Sequence, residues 1–289
     1  MLGVFSPRMA AERKFYRLKA REVENLSRYL GAERTRFNRN EFPVMTDSAD
    51  SALLPDLDTL RNRSRHLVRN YPLAKGTLRT IAVNEVGFGM RPKCMPDYER
   101  IGFSKARAVE LGRIMERGYK RWSQSVSYTE DNFSMIRLWW LTKITQLQTG
   151  EYFLLRRMAD RPETPYRFCW QCIDPDRIKT PPGLEMEETI RNGIKVDSTG
   201  RAIGYWIANR HPGDPKGMSI SKSDFVYVDA RDKQGRLNVI HGFEKTRPEQ
   251  SRGEPPLAPL IKIITDIGGY MDAEWVAARI ASCFAIFIK

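Results

Sequence analysis

One stretch limits what this chain can fold into more than any other: PPLAPLIKIITDIGGYMDAEWVAARIASCFAIFIK, residues 255–289. Pro256 and Pro259 suit the start of a helix, where a missing N–H costs nothing. Leu260, Ile261, Ile264, Ile267, Met271 and Trp275 then recur every three or four residues, which is a helical period. Gly268-Gly269 interrupts the pattern at a cost of roughly 2 kcal/mol against two alanines, so a bend or a close helix contact is expected there. Beyond Asp272 the helix is small and apolar on more than one side, with Trp275, Val276, Ile280, Phe284, Ile286, Phe287 and Ile288. A helix apolar nearly all round must be buried by something. The expectation is an assembly surface, with Trp275 in the contact and Ala277, Ala281 and Ala285 marking the closest helix approach.

The chain before it changes character twice. Residues 1–40 carry ten Lys/Arg against four Asp/Glu, with a broadly helical pattern in Phe15, Leu18, Val23, Leu26 and Leu30. This is either an arm touching nucleic acid or a neighbouring subunit, or a solvated terminus. Pro43, Ser48, Ser51 and Pro55 mark a linker, so residues 1–55 form arm and linker, 56–256 a body and 257–289 the final helix. In the body, Asp56 or Asp58 caps a helix running to Asn70, ended by Tyr71-Pro72. A second helix runs from Pro72 to a stop before Gly87. Arg61, Arg65 and Arg69 fall at i, i+4 and i+8 and form one basic stripe, able to hold phosphates or to pair across a boundary. Phe88 to Pro96 reads as extended. Ser104 caps a helix through Trp122, and Phe133 to Gln148 is another, with Trp139 and Trp140 as core.

After Gly150 the period becomes two. Glu151–Met158, Tyr166–Ile173, Gly193–Val196, Ala202–Ala208, Asp224–Asp229 and Asn238–Gly242 read as strands, with Asp197-Ser198-Thr199-Gly200 as a hairpin connection. Helices first, then a meander of antiparallel strands, then a long helix is an α+β order, not a doubly wound sheet.

The chemistry is thin. Cys169 and Cys172 have metal-type spacing, but Cys94 and Cys283 stand alone, and residues three apart on a strand point to opposite faces. Asp174-Pro175-Asp176 resembles a carboxylate pair for Mg²⁺, yet reads better as a strand-ending turn paired locally with Arg177. His241 has no base-and-nucleophile partners, and His66 reads as a surface or interface residue. Gly87-x-Gly89 follows a helix and precedes none, the reverse of a phosphate-binding loop. There is no nucleophile elbow, P-loop or zinc-protease helix. No catalytic apparatus and no cofactor site emerges. The net charge of +13 favours a polyanionic partner or a compartment full of one. The longest apolar run, Trp275 to Ile288, is 14 residues and contains Arg279, so no membrane span is expected.

Four stretches together carry a resemblance: RSRHLVRNYPLAKGTLRTIAVNEVGFGMRP (63–92), GEYFLLRRM (150–158), CIDPDRI to GYWIANRHP (172–212), and RGEPPLAPLIKIITDIGGYMDAEWVAARIASCFAIFIK (252–289). In this order they resemble the lambda-type family of tailed-phage portal proteins, from about Ala52 onward. The resemblance implies a structural, non-enzymatic subunit of a dodecameric homo-oligomeric ring at one capsid vertex. Through its channel a separate terminase drives double-stranded DNA, and capsid and head-completion proteins attach to it. It further implies a virion component assembled in the bacterial host cytoplasm, with no membrane partner. On this reading the body is wing-like and 257–289 is a stem helix, incomplete at its C-terminus, because family members are longer. Clip, second stem helix, channel loop and crown would lie beyond it. Sequence-independent DNA contact then falls to Arg61, Arg65, Arg69, Lys262, Arg279 and Lys289. The competing reading is a basic nucleic-acid-processing enzyme such as a metal-dependent nuclease, for which Asp174 and Asp176 would need further ligands.

Overall fold

The computed structural model describes residues 46–215 and 221–283, together with Arg17. The helical pattern of residues 1–40, Ala285, Lys289 and the apolar residues from Phe284 onward lie outside the described residues. Ser48–Lys289 form one compact unit and Met1–Asp47 another. The compact unit therefore includes residues 48–55, which the Ser/Pro pattern assigns to a linker. There Ser48 caps a short helix, α1 (Ala49–Leu53), by accepting the Ser51 N–H. Ala49 and Leu53 are buried, and Asp50 accepts the Ser251 N–H and faces Arg191, which is why this segment is held and does not trail.

The helical layer follows the apolar periods closely. Helices α2 (Leu57–Asn70) and α3 (Pro72–Val86) meet at Tyr71, an extended residue before Pro72, where an α conformation would clash with the proline ring. Ser104 and Ser134 cap α4 (Lys105–Trp122) and α5 (Met135–Thr149) by accepting the N–H groups of Arg107 and Arg137. The segment between α3 and α4, Phe88 to Pro96 in the extended reading, pairs into no strand. Instead it lies against α4, whose Gly112 leaves room for the Cys94 carbonyl: a Cβ there would sit 2.5 Å from that oxygen. Leu67, Ala74, Leu78, Ala82 and Leu147 from α2, α3 and α5 bury one another, and Leu257 and Ile264 join them.

The strands are antiparallel but divide into two sheets. One has the order β2-β1-β7, from β1 (Glu151–Met158), β2 (Phe168–Ile173) and β7 (Val239–Phe243). The other is a true meander, β3 (Ile190–Arg191), β4 (Ile194–Val196), β5 (Ala202–Ala208) and β6 (Phe225–Asp229). The two-residue β3 is too short to show a period. Strand β1 explains the layering through its alternation. Phe153 and Leu155 point into the core shared by both sheets, with Ile173, Ile194, Tyr205 and Ile207, whereas Leu154 packs the other way, on Val126 and Leu138.

The last helix, α6 (Ile261–Cys283), begins after a 3₁₀ turn at Ala258–Leu260. It runs through Gly268-Gly269 unbroken, and a close contact is met there with the Tyr71 junction between α2 and α3. A Cβ on Gly268 would lie 2.5 Å from Tyr71 Cε1. Only the first turns of α6 are docked, through Ile264 and the half-buried Ile261, so the boundary at 257 separates no independent unit.

Candidate functional site

The most constrained place in the molecule is a carboxylate. α5 ends at Gly150, whose φ of +90° turns the chain into β1, and the next residue is Glu151, with no solvent exposure. A buried carboxylate is tolerated only when paired and hydrogen-bonded, and Glu151 is both. Its Oε1 accepts from Arg61 Nη2 and from Arg252 Nη2 at 2.6 Å and Nε at 2.9 Å. Its Oε2 accepts from His241 Nε2 at 2.8 Å and from the Gly253 N–H at 2.9 Å.

Arg252 is also fully buried, and all five of its N–H donors are engaged. Besides Glu151, it donates to the carbonyls of Ile178, Asn192 and Pro175, and its guanidinium lies 5.6 Å from the Phe153 ring centroid. His241 stacks between Phe153 and Phe243 at 4.2 and 4.4 Å. The backbones interlock as well: a Cβ on Gly253 would lie 2.2 Å from the Gly150 oxygen. Thus Gly150-Glu151 and Arg252-Gly253 require each other.

The charges follow from this packing. Burial alone would raise the Glu151 carboxyl, but Arg252, Arg61 and the His241 hydrogen bond outweigh it and hold the group well below the usual carboxylate range. Burial lowers Arg61 to about 10 despite Glu151, which leaves it charged at neutral pH. Burial also lowers His241, against the pull of Glu151, so the imidazole is neutral and donates Nε2–H.

A second cluster adjoins the first. Asp174 opens a 3₁₀ turn by accepting the Asp176 N–H, and Arg65 donates to both carboxylates. Arg177, the expected local partner, instead donates to the carbonyls of Ala208 and Asn209. Asp174, Asp176 and His211 lie close enough to share a cation. The chemistry of the group argues against one, because Arg65 already bonds both carboxylates and Arg61 Nη1 stands 3.8 Å from Asp176. Cys169 is buried and Cys172 half-buried, both with free thiols, and burial pushes Cys172 up to about 11.

The stripe of Arg61, Arg65 and Arg69 is therefore not one solvent-facing row. Arg61 is 1% exposed and paired with Glu151, Arg65 is paired with Asp174 and Asp176, and Arg69 alone stays exposed, near the end of α2. The i, i+4, i+8 spacing is right, but that face of α2 turns toward the sheets. Lys262, Arg279, Ala277 and Ala281 are exposed along α6, and Trp275 is 61% exposed. His66 is exposed and hydrogen-bonded to Asn70. The hub itself carried one overlooked signal: the alternation of β1 puts Glu151 on the same face as Phe153 and Leu155, a charge in an apolar register.

These residues fasten distant segments of the chain to one another. The family model for phage portal proteins of the lambda family matches residues 35–289, and the chain belongs to that family. It is 27% identical over 271 residues to a probable portal protein of Halomonas phage phiHAP-1, covering 90% of this chain and 49% of that one. It is 24% identical over 253 residues to the portal protein of Escherichia phage N15 (84% of this chain, 46% of that one) and likewise to portal protein B of Escherichia phage lambda (84% and 45%). The chain spans about half the length of these curated relatives. The four stretches that carry the resemblance converge at the two clusters: Arg65 from the first, Gly150-Glu151 from the second, Asp174 to His211 from the third and Arg252-Gly253 from the fourth.

Proposed function

We propose that this chain supplies the wing-like body and the start of a stem helix in a portal subunit. Its copies assemble into a ring at one capsid vertex, in the virion, after assembly in the host cytoplasm. Double-stranded DNA is packaged and ejected through the ring's channel, and terminase and head-completion proteins dock on it. The carrying observation is the family match across nearly the whole chain, 35–289. The fold supports it with a rigid body from which α6 presents an apolar, unpacked surface (Trp275, Val276, Ile280). No helix among the described residues is long and apolar enough to cross a membrane.

On this reading DNA contact is electrostatic and unselective, through exposed Arg69, Lys262 and Arg279 and through Lys289, with Arg61 and Arg65 held by carboxylates. Binding should fall steeply with salt and show no preference among sequences of equal length. Discrimination between sequences at fixed salt in a filter-binding assay would count against it. The test of assembly is negative-stain microscopy and sedimentation of the chain, where association is expected and a persistent monomer would refute the reading.

The grouping of Asp174, Asp176 and His211 is the one observation favouring a metal-dependent nuclease. With Arg65 across both carboxylates, no cleavage of plasmid DNA is expected in Mg²⁺ or Mn²⁺. A cleavage rate abolished by Asp176→Ala would establish the enzyme instead.

A further inference from the structure

The ring reading says that copies meet; two surfaces of the structure say where. The first is on α6. Its docked stripe, Ile261, Ile264 and Gly268, continues at helical spacing as Met271 and Trp275, both exposed. Tyr270 and Glu274, an i, i+4 pair, flank that continuation and are exposed as well. Residues 266–274 carry Asp266, Asp272 and Glu274 and no basic residue, and none of these carboxylates has a partner among the described residues. The second surface is a groove of about 470 Å³ where the segment after α3 passes over α4 and the first turn of α5. Phe88, Met90, Ile136 and Trp139 form its apolar walls, with Arg91 and Lys120 beside them. Phe88 is 97% exposed, so this groove is unfilled apolar surface.

The groove's surroundings are basic. α4 carries six Lys/Arg against two Glu. Glu110 is ion-paired with Arg107 and Glu116 accepts from the Cys94 N–H, while Arg113, Arg117 and Lys120 make no ion pair among the described residues, and basic groups outnumber acidic ones on the helix. The groove's one carboxylate, Glu116, is thus already in use.

Resting on the portal reading, we infer that the exposed half of α6, around Met271, Glu274 and Trp275, docks into the Phe88–Trp139 groove of a second copy of this chain, with Glu274 meeting Lys120 and Arg91. Three features choose a second copy. The two surfaces are apolar at their centres and opposite in charge. They are different surfaces of one chain, and a contact between unlike patches is the kind that repeats head to tail and closes into rings, whereas a contact between like patches stops at a dimer. Asp266, Asp272 and Glu274 also repel a polyanion, so on α6 DNA contact is left to Lys262 and Arg279, outside the 266–274 stretch. Rings therefore form by seating each helix in the next subunit's groove.

The experiment uses the chain of residues 1–289 in four samples: wild type, Glu274→Lys, Lys120→Glu, and the two variants mixed in equal amounts. Sedimentation velocity reads association and circular dichroism checks the fold; both substituted residues are exposed. Wild type should associate. Each variant alone sets like charges against each other and should weaken association on the order of tenfold or more. The mixture should recover it, because each variant's intact surface meets the other's intact surface and the two altered surfaces again have opposite charge. Wild-type-like association of either variant alone, or weakened variants whose mixture does not recover, would overturn the docking while leaving the ring reading standing. A wild type that remains monomeric at high concentration would overturn both.

Discussion

Residues 250–264 and residues 270–283 belong to one continuous run of chain, yet their surroundings are opposite. At the first, Gln250 and Arg252 are buried, every donor of Arg252 is satisfied, and Gly253 leaves no room for a methyl group. At the second, every residue of α6 is exposed, including Tyr270, Met271, Trp275, Val276 and Ile280. The lesson is a division of labour within a single segment. The Arg252 end fixes where α6 leaves the body and in which direction. The other end is built to be covered by something outside the described fold. A helix that presents an assembly surface must be aimed rigidly, and a buried, fully hydrogen-bonded guanidinium–carboxylate pair aims it better than apolar packing, which tolerates rotation.

The sharpest way to break the comparison is at the anchored end. Glu151→Ala would leave the buried Arg252 without its counter-charge and Arg61 with only Asp176, 3.8 Å away, at a cost of roughly 3–5 kcal/mol. Urea unfolding should show it; a loss within the ordinary surface range would mean that the pair is incidental. Gly253→Ala comes next, since its Cβ would overlap the Gly150 carbonyl 2.2 Å away. Overpacking costs about 1–3 kcal/mol, in unfolding and not in a change of oligomer size alone.

Acid should act on the same end, and its sign is fixed. Glu151 and His241 both have folded-state pKa values below their ordinary ones, so the unfolded chain binds the extra protons. The stability they contribute is complete above the unfolded values, near 6.5 for His241 and 4.5 for Glu151, and is lost as pH falls, the histidine's part first. His241→Gln should flatten the decline between neutrality and mild acid and leave the steeper loss at lower pH. Unfolding midpoints of wild type and variant across that window would check this. The smallest effects on folding belong to the other end: Trp275→Ser and Ala281→Trp should change unfolding by about 0.5 kcal/mol or less while shifting sedimentation toward smaller species.

The helices and strands were legible in the sequence because local chemistry sets them: Ser104 and Ser134 as caps, Tyr71-Pro72 as a break, alternation in β1 and β5. The hub was not. Arg61, Arg65 and Arg69 share a helix face, but which way that face turns depends on where Glu151 and Asp176 arrive from 90 and 111 residues later. Likewise, Ser and Pro make residues 48–55 look like a linker, and only the distant Ser251 and Arg191 show that Asp50 ties it down. Periodicity reports what a segment does to itself; it is silent on a partner that the rest of the fold must first bring near.

The most direct test of this division is amide hydrogen exchange along residues 250–283, followed by mass spectrometry at low and high protein concentration. Protection at 252–264 reflects the fold and should be the same at both concentrations. Protection at 270–283 should rise as the chain associates and the exposed helix is covered. Equal protection of 270–283 at both concentrations, in samples whose sedimentation shows association, would contradict the account.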